Sequence, residues 1–201
     1  MSDEITLYGA GGHCRVVIDL LEENDFIVSQ IVDDDPREAT CKGIPILRPL
    51  KEYKKVLITI GDCQIRKRIS KEIKVEKFLK VIHPKANVSK SVLLGIGSVI
   101  MAGVTIQSGT KIGEHCIINT NASIDHDCIV HDYVHVAPGA TVCGECEIGE
   151  CSWVGAGAVI IQCLKIGKNC TIGAGAVIIE DVPDNAVVVG NPGRIIRFKS
   201  K

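Results

Sequence analysis

"INTNASIDHDCIVHDYVHVAPGATV", residues 118–142, carries an aliphatic side chain at Ile118, Ile124, Val130, Val136 and Val142, one every six residues. The same step runs backward through Ile112, Ile106, Ile100, Leu94 and Val88 to Ile82. It runs forward through Ile148, Val154, Ile160, Ile166 and Ile172 to Ile178 without a miss. Chance would produce such a run with odds far below about one in a million. Two residues before the aliphatic sits a small one, as at Ala122, Cys128, Ala140, Cys146, Ala158, Cys170 and Ala176, with Leu164 the bulky exception. Alternate residues of a strand share a face, so both point inward and a turn follows. Glycine often follows directly, as in Ile112-Gly113, Ile148-Gly149 and Ile172-Gly173. The pattern predicts a parallel β-helix in which three hexads make one triangular coil, with roughly five to six coils stacked over residues 82–180. No loop interrupts the hexads, so function must sit on the outer surface.

Composition narrows the partners. The chain has 201 residues, with 23 basic against 24 acidic side chains. That balance points away from nucleic acid and from anionic lipid, and toward small molecules or further copies of the chain. The start, MSDEITLYG, is polar and acidic rather than a basic leader, and no stretch approaches 18 apolar residues, so a soluble cytoplasmic protein without membrane insertion is expected. The ten cysteines form no CxxC pair of the zinc kind and read as reduced thiols. Cys116, Cys128, Cys146 and Cys170 fall on the small inward position, where a thiol packs as a small hydrophobe. Cys143, Cys151 and Cys163 lie off that position, which leaves them open to exposure.

The first third reads differently. ITLYGAGG runs into HCRVVIDLLEEN, a strand, glycine turn and amphipathic helix with Val16, Val17, Leu20 and Leu21 on one side. FIVSQIVDDD and KKVLITIG read as further strands, and DCQIRKRISKEI as a second helix. Strands alternating with helices imply a small parallel α/β, Rossmann-like domain over residues 1–80, ahead of a β-helix domain with a C-terminal cap over 81–201. Gly9, Gly11 and Gly12 allow close backbone approach to a phosphate at a helix start, or simply make a tight turn. His13 and the aspartates at 33–35 fall where open α/β sheets bind ligands, although acidic strand ends are also ordinary turn chemistry.

The whole chain resembles the bacterial nucleotide-sugar N-acyltransferases of the sialic acid O-acetyltransferase type. Within them it is most similar to UDP-4-amino-sugar N-acetyltransferases. The resemblance rests on YGAGGH (8–13), the three aspartates, ITIGDCQIRKRI (58–69), INTNASIDHDC (118–128), HVAPGA (135–140) and DVPDNAVVVGNPGRIIR (181–197). It implies a left-handed β-helix and acetyl-CoA as co-substrate with no metal. It also implies a homotrimer with active sites between subunits, and N-acetylation of a nucleotide-linked amino sugar in glycan biosynthesis. O-acetylation of sialic acid, a GDP- or dTDP-linked acceptor, and a non-catalytic assembly subunit remain as alternatives.

The resemblance also implies roles for particular residues. His126 is the general base and Asp127 its orienting partner; imidazole titrates near neutral pH and can take the proton an attacking amine must lose. His135 is implied near the acetyl group. The Gly144 amide is the candidate oxyanion donor. Gly155, Ala156, Gly173 and Ala174 border the pantetheine path, and Gly190, Asn191, Pro192 and Arg194 the nucleotide end of the cofactor. Gly11, Gly12, His13, Asp34, Gly61 and Asp62 face the nucleotide sugar. Relatives commonly read Gly-Asn where this chain has Gly61-Asp62, and a carboxylate is a poor neighbour for phosphates. His115 and His131 read as surface corner residues. Histidines on different hexad phases do not converge as a metal site requires.

Overall fold

The computed structural model describes residues 5–200; the polar start MSDE and Lys201, and with them the outer ends of both expected domains, lie outside the described residues. The chain opens with β1 (Ile5–Tyr8), α1 (Gly12–Glu22), β2 (Val28–Val32), β3 (Thr40–Cys41), β4 (Ile44–Leu47), β5 (Glu52–Ile58), α2 (Cys63–Glu72) and β6 (Lys74–Phe78). The sheet order is β3-β4-β2-β1-β5-β6, parallel except for the β3–β4 hairpin. Lys42 and Gly43 both take positive φ in that hairpin turn, the pairing that suits two-residue hairpins. Central β1 is buried along its whole length, as the middle strand of a covered parallel sheet must be. β6, Lys-Val-Glu-Lys-Phe, was not evident in the sequence because a half-exposed edge strand carries charges where a central one carries aliphatics.

α1 buries Cys14, Val17, Ile18, Leu20 and Leu21. The sequence pattern put Val16 on that face; it is 43% exposed, because the helical stripe runs through positions 14, 17, 18 and 21.

From Val81–Ile82 to Val177–Ile178 the chain runs in unbroken two-residue strands forming a left-handed β-helix. Each strand pairs in parallel with the one a full coil later, as Ile117 with His135 and Ile118 with Val136. The hexad reading holds at the side chains: Cys116, Ile118, Ala122, Ile124, Cys128 and Val130 are essentially fully buried. The first coil is the exception, with Ile82 38% exposed and Val88 and Leu94 half-buried, since no coil precedes it. Corners are closed by a left-handed residue, glycine at Gly139, Gly157 and Gly175 but Asn121, Asp127, Tyr133 and Cys151 elsewhere. At the far end Ala186–Val189 extends the sheet beside Thr171–Ile172, and Arg194–Phe198 returns antiparallel to it.

The N-terminal module sits against one face and one edge of the solenoid. Val81, Val99 and Ile117 point outward from their strands, yet are at most 3% exposed. They join the same apolar cluster as Cys14, Val17, Ile18 and Leu21 of α1. α2 lies on the adjoining edge, the corner column His115, Tyr133 and Cys151. Lys67 pairs with Glu150 at 2.7 Å, Ser70 Oγ meets the Tyr133 hydroxyl at 3.0 Å, and Cys63 Sγ donates to the Cys151 carbonyl. Two expectations are thereby corrected. His115 is not a surface residue but is 2% exposed, between Phe78 at 4.6 Å and Tyr133 at 5.4 Å. Cys151 is likewise buried. Both point outward from the solenoid as the hexad phase requires, and the second module covers them.

Candidate active site

His126 stands at the corner between the strand Ser123–Ile124 and the strand Ile129–Val130, one residue before the left-handed Asp127. That turn brings the Asp127 carboxylate back onto the ring: His126 Nδ1 lies 3.0 Å from Asp127 Oδ2, and Asp125 Oδ1 accepts the His126 amide at 2.8 Å. The hydrogen bond to Asp127 is the main influence on the imidazole and raises its pKa, with Asp125 and Glu145 adding to it. The Nε2 edge lies over Gly144 on the next coil. A Cβ built on Gly144 would sit 2.6 Å from Nε2, so glycine is what lets the ring lie there. The Gly144 amide makes no ladder hydrogen bond among the described residues. The corner therefore presents a base with a fixed tautomer beside an uncommitted N–H donor.

On the N-terminal module a cleft of about 460 Å³ is lined by Ala10, Gly11, Gly12, Arg15, Asp33, Asp35 and Arg37, among others. Space lies open where a Cβ would stand on Gly11, Gly12 and Gly61, so protein packing does not demand glycine there. Asp33 shapes the cleft by accepting the Ala10 amide at 2.7 Å and the Asp35 amide at 2.8 Å. Asp34, the sequence candidate, does not line it; its carboxylate accepts the Tyr8 hydroxyl at 3.0 Å. Side chains of successive extended residues diverge, and Asp33 and Asp35 take the cleft side. Asp62 also spends its carboxylate locally. It is the N-cap of α2, its Oδ1 accepting the Gln64 and Ile65 amides at 2.9 Å each, a role asparagine fills equally well.

His13, Gly61 and His135 meet at the junction of the two modules, with Arg66 among them. His135 is 8% exposed. Its Nε2 lies 3.2 Å from Asn119 Nδ2 and its ring stacks on Trp153 at 5.0 Å. Burial holds it neutral, lowering its pKa to about 3, with Arg66 and His13 adding to the effect. His13 and His115 are likewise lowered to about 4, first by burial and then by Arg66. His13 Nε2, His115 Nδ1 and His135 Nδ1 are buried without a hydrogen-bond partner.

His135 and His126 are not brought together within one chain. His135 points out of the sheet that also holds Ile117 and Trp153, and His126 stands at the corner opposite that face. Arg15 and Arg37 line the cleft, and Arg66, Asn119 and Trp153 adjoin His135, yet none was a candidate in the sequence; the Asn-Thr opening of INTNASIDHDC was the available signal for Asn119.

Of the candidate cofactor residues, Gly155 and Gly173 are glycine for packing: an added Cβ would meet Ile172 O at 2.6 Å and Val189 Cγ1 at 2.8 Å respectively. Outward space lies instead at Gly157 and Gly175, beside Ala156 and Ala174. Between that edge and the His126–Gly144 edge a hollow of about 210 Å³ is lined by Thr105, Ser123, Asp125, Thr141 and Cys143, among others. Gly190, Asn191, Pro192 and Arg194 form the exposed turn of the terminal hairpin. Gly193 within it packs closely, its Cβ position 2.8 Å from Ile178 Cδ1, so the tail caps the last coil. His131 is a surface residue as expected, paired with Glu147 at 2.9 Å. Among the described residues no group of three or more His, Cys, Asp or Glu could hold a metal ion, and no helix is long and apolar enough to cross a membrane.

Residues 4–73 match the family described as "PglD N-terminal domain". Residues 109–144 and 145–180 match "Bacterial transferase hexapeptide (six repeats)". The chain is 32% identical over 150 residues to GDP-perosamine N-acetyltransferase of Escherichia coli O157:H7, 66% of each chain. It is 37% identical over 110 residues to UDP-N-acetylbacillosamine N-acetyltransferase of Bacillus subtilis strain 168, 49% of this chain and 51% of that one. These matches thus span about two thirds and about half of the two relatives. Along nearly its full length it superposes on PerB from Caulobacter crescentus in complex with CoA and GDP-perosamine: TM-score 0.90, 33% identity, 96% of this chain and 97% of that one.

Proposed function

From a chain that belongs to the nucleotide-sugar N-acetyltransferase family of the hexapeptide-repeat acyltransferases, we propose an enzyme that moves the acetyl group of acetyl-CoA directly onto the 4-amino group of a UDP-linked amino-dideoxy sugar. The observation that carries the reading is the His126–Asp127 pair, with Nε2 held over the Gly144 amide at an open corner. In this reading the sugar nitrogen attacks the thioester carbonyl while His126 Nε2 accepts its proton. Asp127 holds the other ring nitrogen and stabilises the imidazolium. The oxyanion is met by the Gly144 N–H. Collapse expels the CoA thiolate, and the imidazolium returns the proton to that sulfur, so no covalent enzyme intermediate is needed. Asp127 and His126 are the catalytic pair, Gly11, Gly12, His13 and Gly61 hold the sugar nucleotide, and the Ala156 and Ala174 edge borders the cofactor.

His126 stands at the corner opposite the face that carries His135 and the nucleotide module, so a second chain must bring acceptor and base together. A homotrimer with sites between subunits meets that need. Exposed Ile129, Trp153, Ile195, Ile196 and Phe198 are surface a neighbour would cover. A GDP-linked acceptor is the second reading, favoured by the near-complete match to the GDP-perosamine relative. The test is CoA release from acetyl-CoA with a panel of UDP-, GDP- and dTDP-linked 4-amino sugars. His126→Ala is expected to lower turnover about 100-fold or more at unchanged sedimentation; undiminished turnover removes the base from this mechanism.

A further inference from the structure

Arg66 is 1% exposed and satisfies its guanidinium only with main-chain carbonyls. Nε donates to His115 O at 2.8 Å, Nη1 to Ile60 O at 2.8 Å and Gly61 O at 3.0 Å, and Nη2 to Tyr133 O at 2.7 Å. Two acceptors lie on the turn after β5, which carries the Gly61 site, and two on successive corners of the β-helix. Among the described residues no carboxylate pairs with it. Asp62, the acid on its own helix, spends its oxygen on two helix amides. Burying a cation without a counter-charge is costly. Attachment of α2 does not demand it, since Lys67–Glu150, Ser70–Tyr133 and Cys63–Cys151 O already pin the helix to the same edge.

What the charge faces is His13 from α1, His115 and His135 from the β-helix, the thiols of Cys116 and Cys151, and on its own helix Asp62 and Cys63, whose thiol is drawn down to about 7 by its contact with Cys151 first and by Arg66 after it. The three imidazoles each keep one buried ring nitrogen unpartnered. Two of them, His13 and His135, stand beside the Gly61 turn. A fixed cation at that point opposes protonation of both rings, and its planar fork fixes the turn against the solenoid.

We propose that Arg66 is a positioning residue for the sugar acceptor: its fork registers the Gly61 turn on the β-helix, and its fixed charge disfavours a second cation on the imidazoles beside that turn. The proposal rests on the acetyl-transfer reading for its ligand. Its electrostatic half is tested without turnover.

The chain's one tryptophan, Trp153, stacks on His135, so its fluorescence reports the charge on that ring. Wild type, Arg66→Met and Arg66→Lys would be titrated downward from pH 8 in a stabilising osmolyte, which offsets the acid loss of stability, with far-UV circular dichroism confirming the native fold at each pH. Quenching should begin about one pH unit higher in Arg66→Met than in wild type, and at the wild-type pH in Arg66→Lys, which keeps the charge and loses the fork. In kinetics both variants should raise the KM for nucleotide sugar about tenfold or more and leave that for acetyl-CoA unchanged. Coincident onsets in wild type and Arg66→Met overturn the charge role. An unchanged sugar KM in Arg66→Lys overturns the registering role, and decides it even if Arg66→Met does not fold. If no nucleotide sugar is acetylated by the wild type, the acetyl-transfer reading fails, while the fluorescence onsets still decide the charge role.

Discussion

Lowering the pH from 7.5 to 5 should remove about 6 kcal/mol of folding stability through three side chains. His13 and His115 are held neutral with pKa values of about 4, and His135 of about 3, by burial first and the Arg66 cation second. In the unfolded chain each returns to about 6.5. Between those values the unfolded state binds protons that the folded state refuses. Stability is therefore full above about pH 6.5 and drains as pH falls toward 4. At pH 5 each unfolded imidazole gains about 2 kcal/mol from its proton, and the folded pKa values lie too far below to recover it. Three such groups amount to much of the typical 5–15 kcal/mol margin of a domain. His126 acts in the opposite sense, its pKa being raised, but it is exposed and screened. Urea melts at fixed protein concentration should show the midpoint fall with unchanged slope, corresponding to uptake of about three protons on unfolding. His115→Phe, which keeps a ring between Phe78 and Tyr133, should cut the pH-dependent loss by about one third. A total loss below about 2 kcal/mol between pH 7.5 and 5 would refute the burial argument.

Asp127→Asn keeps a residue suited to the left-handed corner but withdraws the carboxylate that raises the His126 pKa. The acidic limb of kcat/KM should move to lower pH while the plateau falls about tenfold; an unmoved limb would separate the pair. Gly144→Ala places a methyl 2.6 Å from His126 Nε2, so kcat should drop at least about tenfold while stability stays within about 0.5 kcal/mol, read by steady-state kinetics beside a urea melt. Asp62→Ala should cost about 1 kcal/mol as a lost N-cap, whereas Asp62→Asn keeps both the cap and the KM for nucleotide sugar within about twofold. A large fall in KM on Asp62→Asn would mean that the carboxylate faces the diphosphate after all.

The sequence predicts direction better than environment. A six-residue period states which way each side chain leaves the backbone, and every inward position from Ile100 to Ile178 is buried but for bulky Leu164, which packs half-buried against the core. It says nothing about what lies outside. His115 and Cys151 do leave the solenoid outward, yet α2 covers both. The warning was in the composition of the columns. Outward residues on one face read Val81, Val99 and Ile117, where the equivalent column on the next reads Thr105, Ser123 and Thr141. Three aliphatics stacked on an outer face imply a covering element. Asp34 and Asp62 take local partners for a different reason. A carboxylate at a strand end or helix start has several amides and hydroxyls within reach, and composition cannot say which it takes; Asp33 took the cleft amides, Asp34 the Tyr8 hydroxyl, and Asp62 its own helix.

That covering element has a consequence for chemistry. Because α1 occupies the outward face of the first coils and α2 the adjoining edge, the proposed acceptor cleft is pinned to one side of the prism. The hexad phase at the same time pins the His126 ring to the opposite corner. Neither can be moved without breaking either the apolar column or the six-residue turn. In the proposed reading, joining acceptor to base is therefore left to assembly, and rigid stacking of the coils supplies the precision that a reacting pair needs. Weakening the association of chains should therefore abolish turnover with the fold of each chain and its nucleotide-sugar binding intact. Equal specific activity for separated and assembled chains, measured by dilution through the dissociation range, would contradict this division of the site.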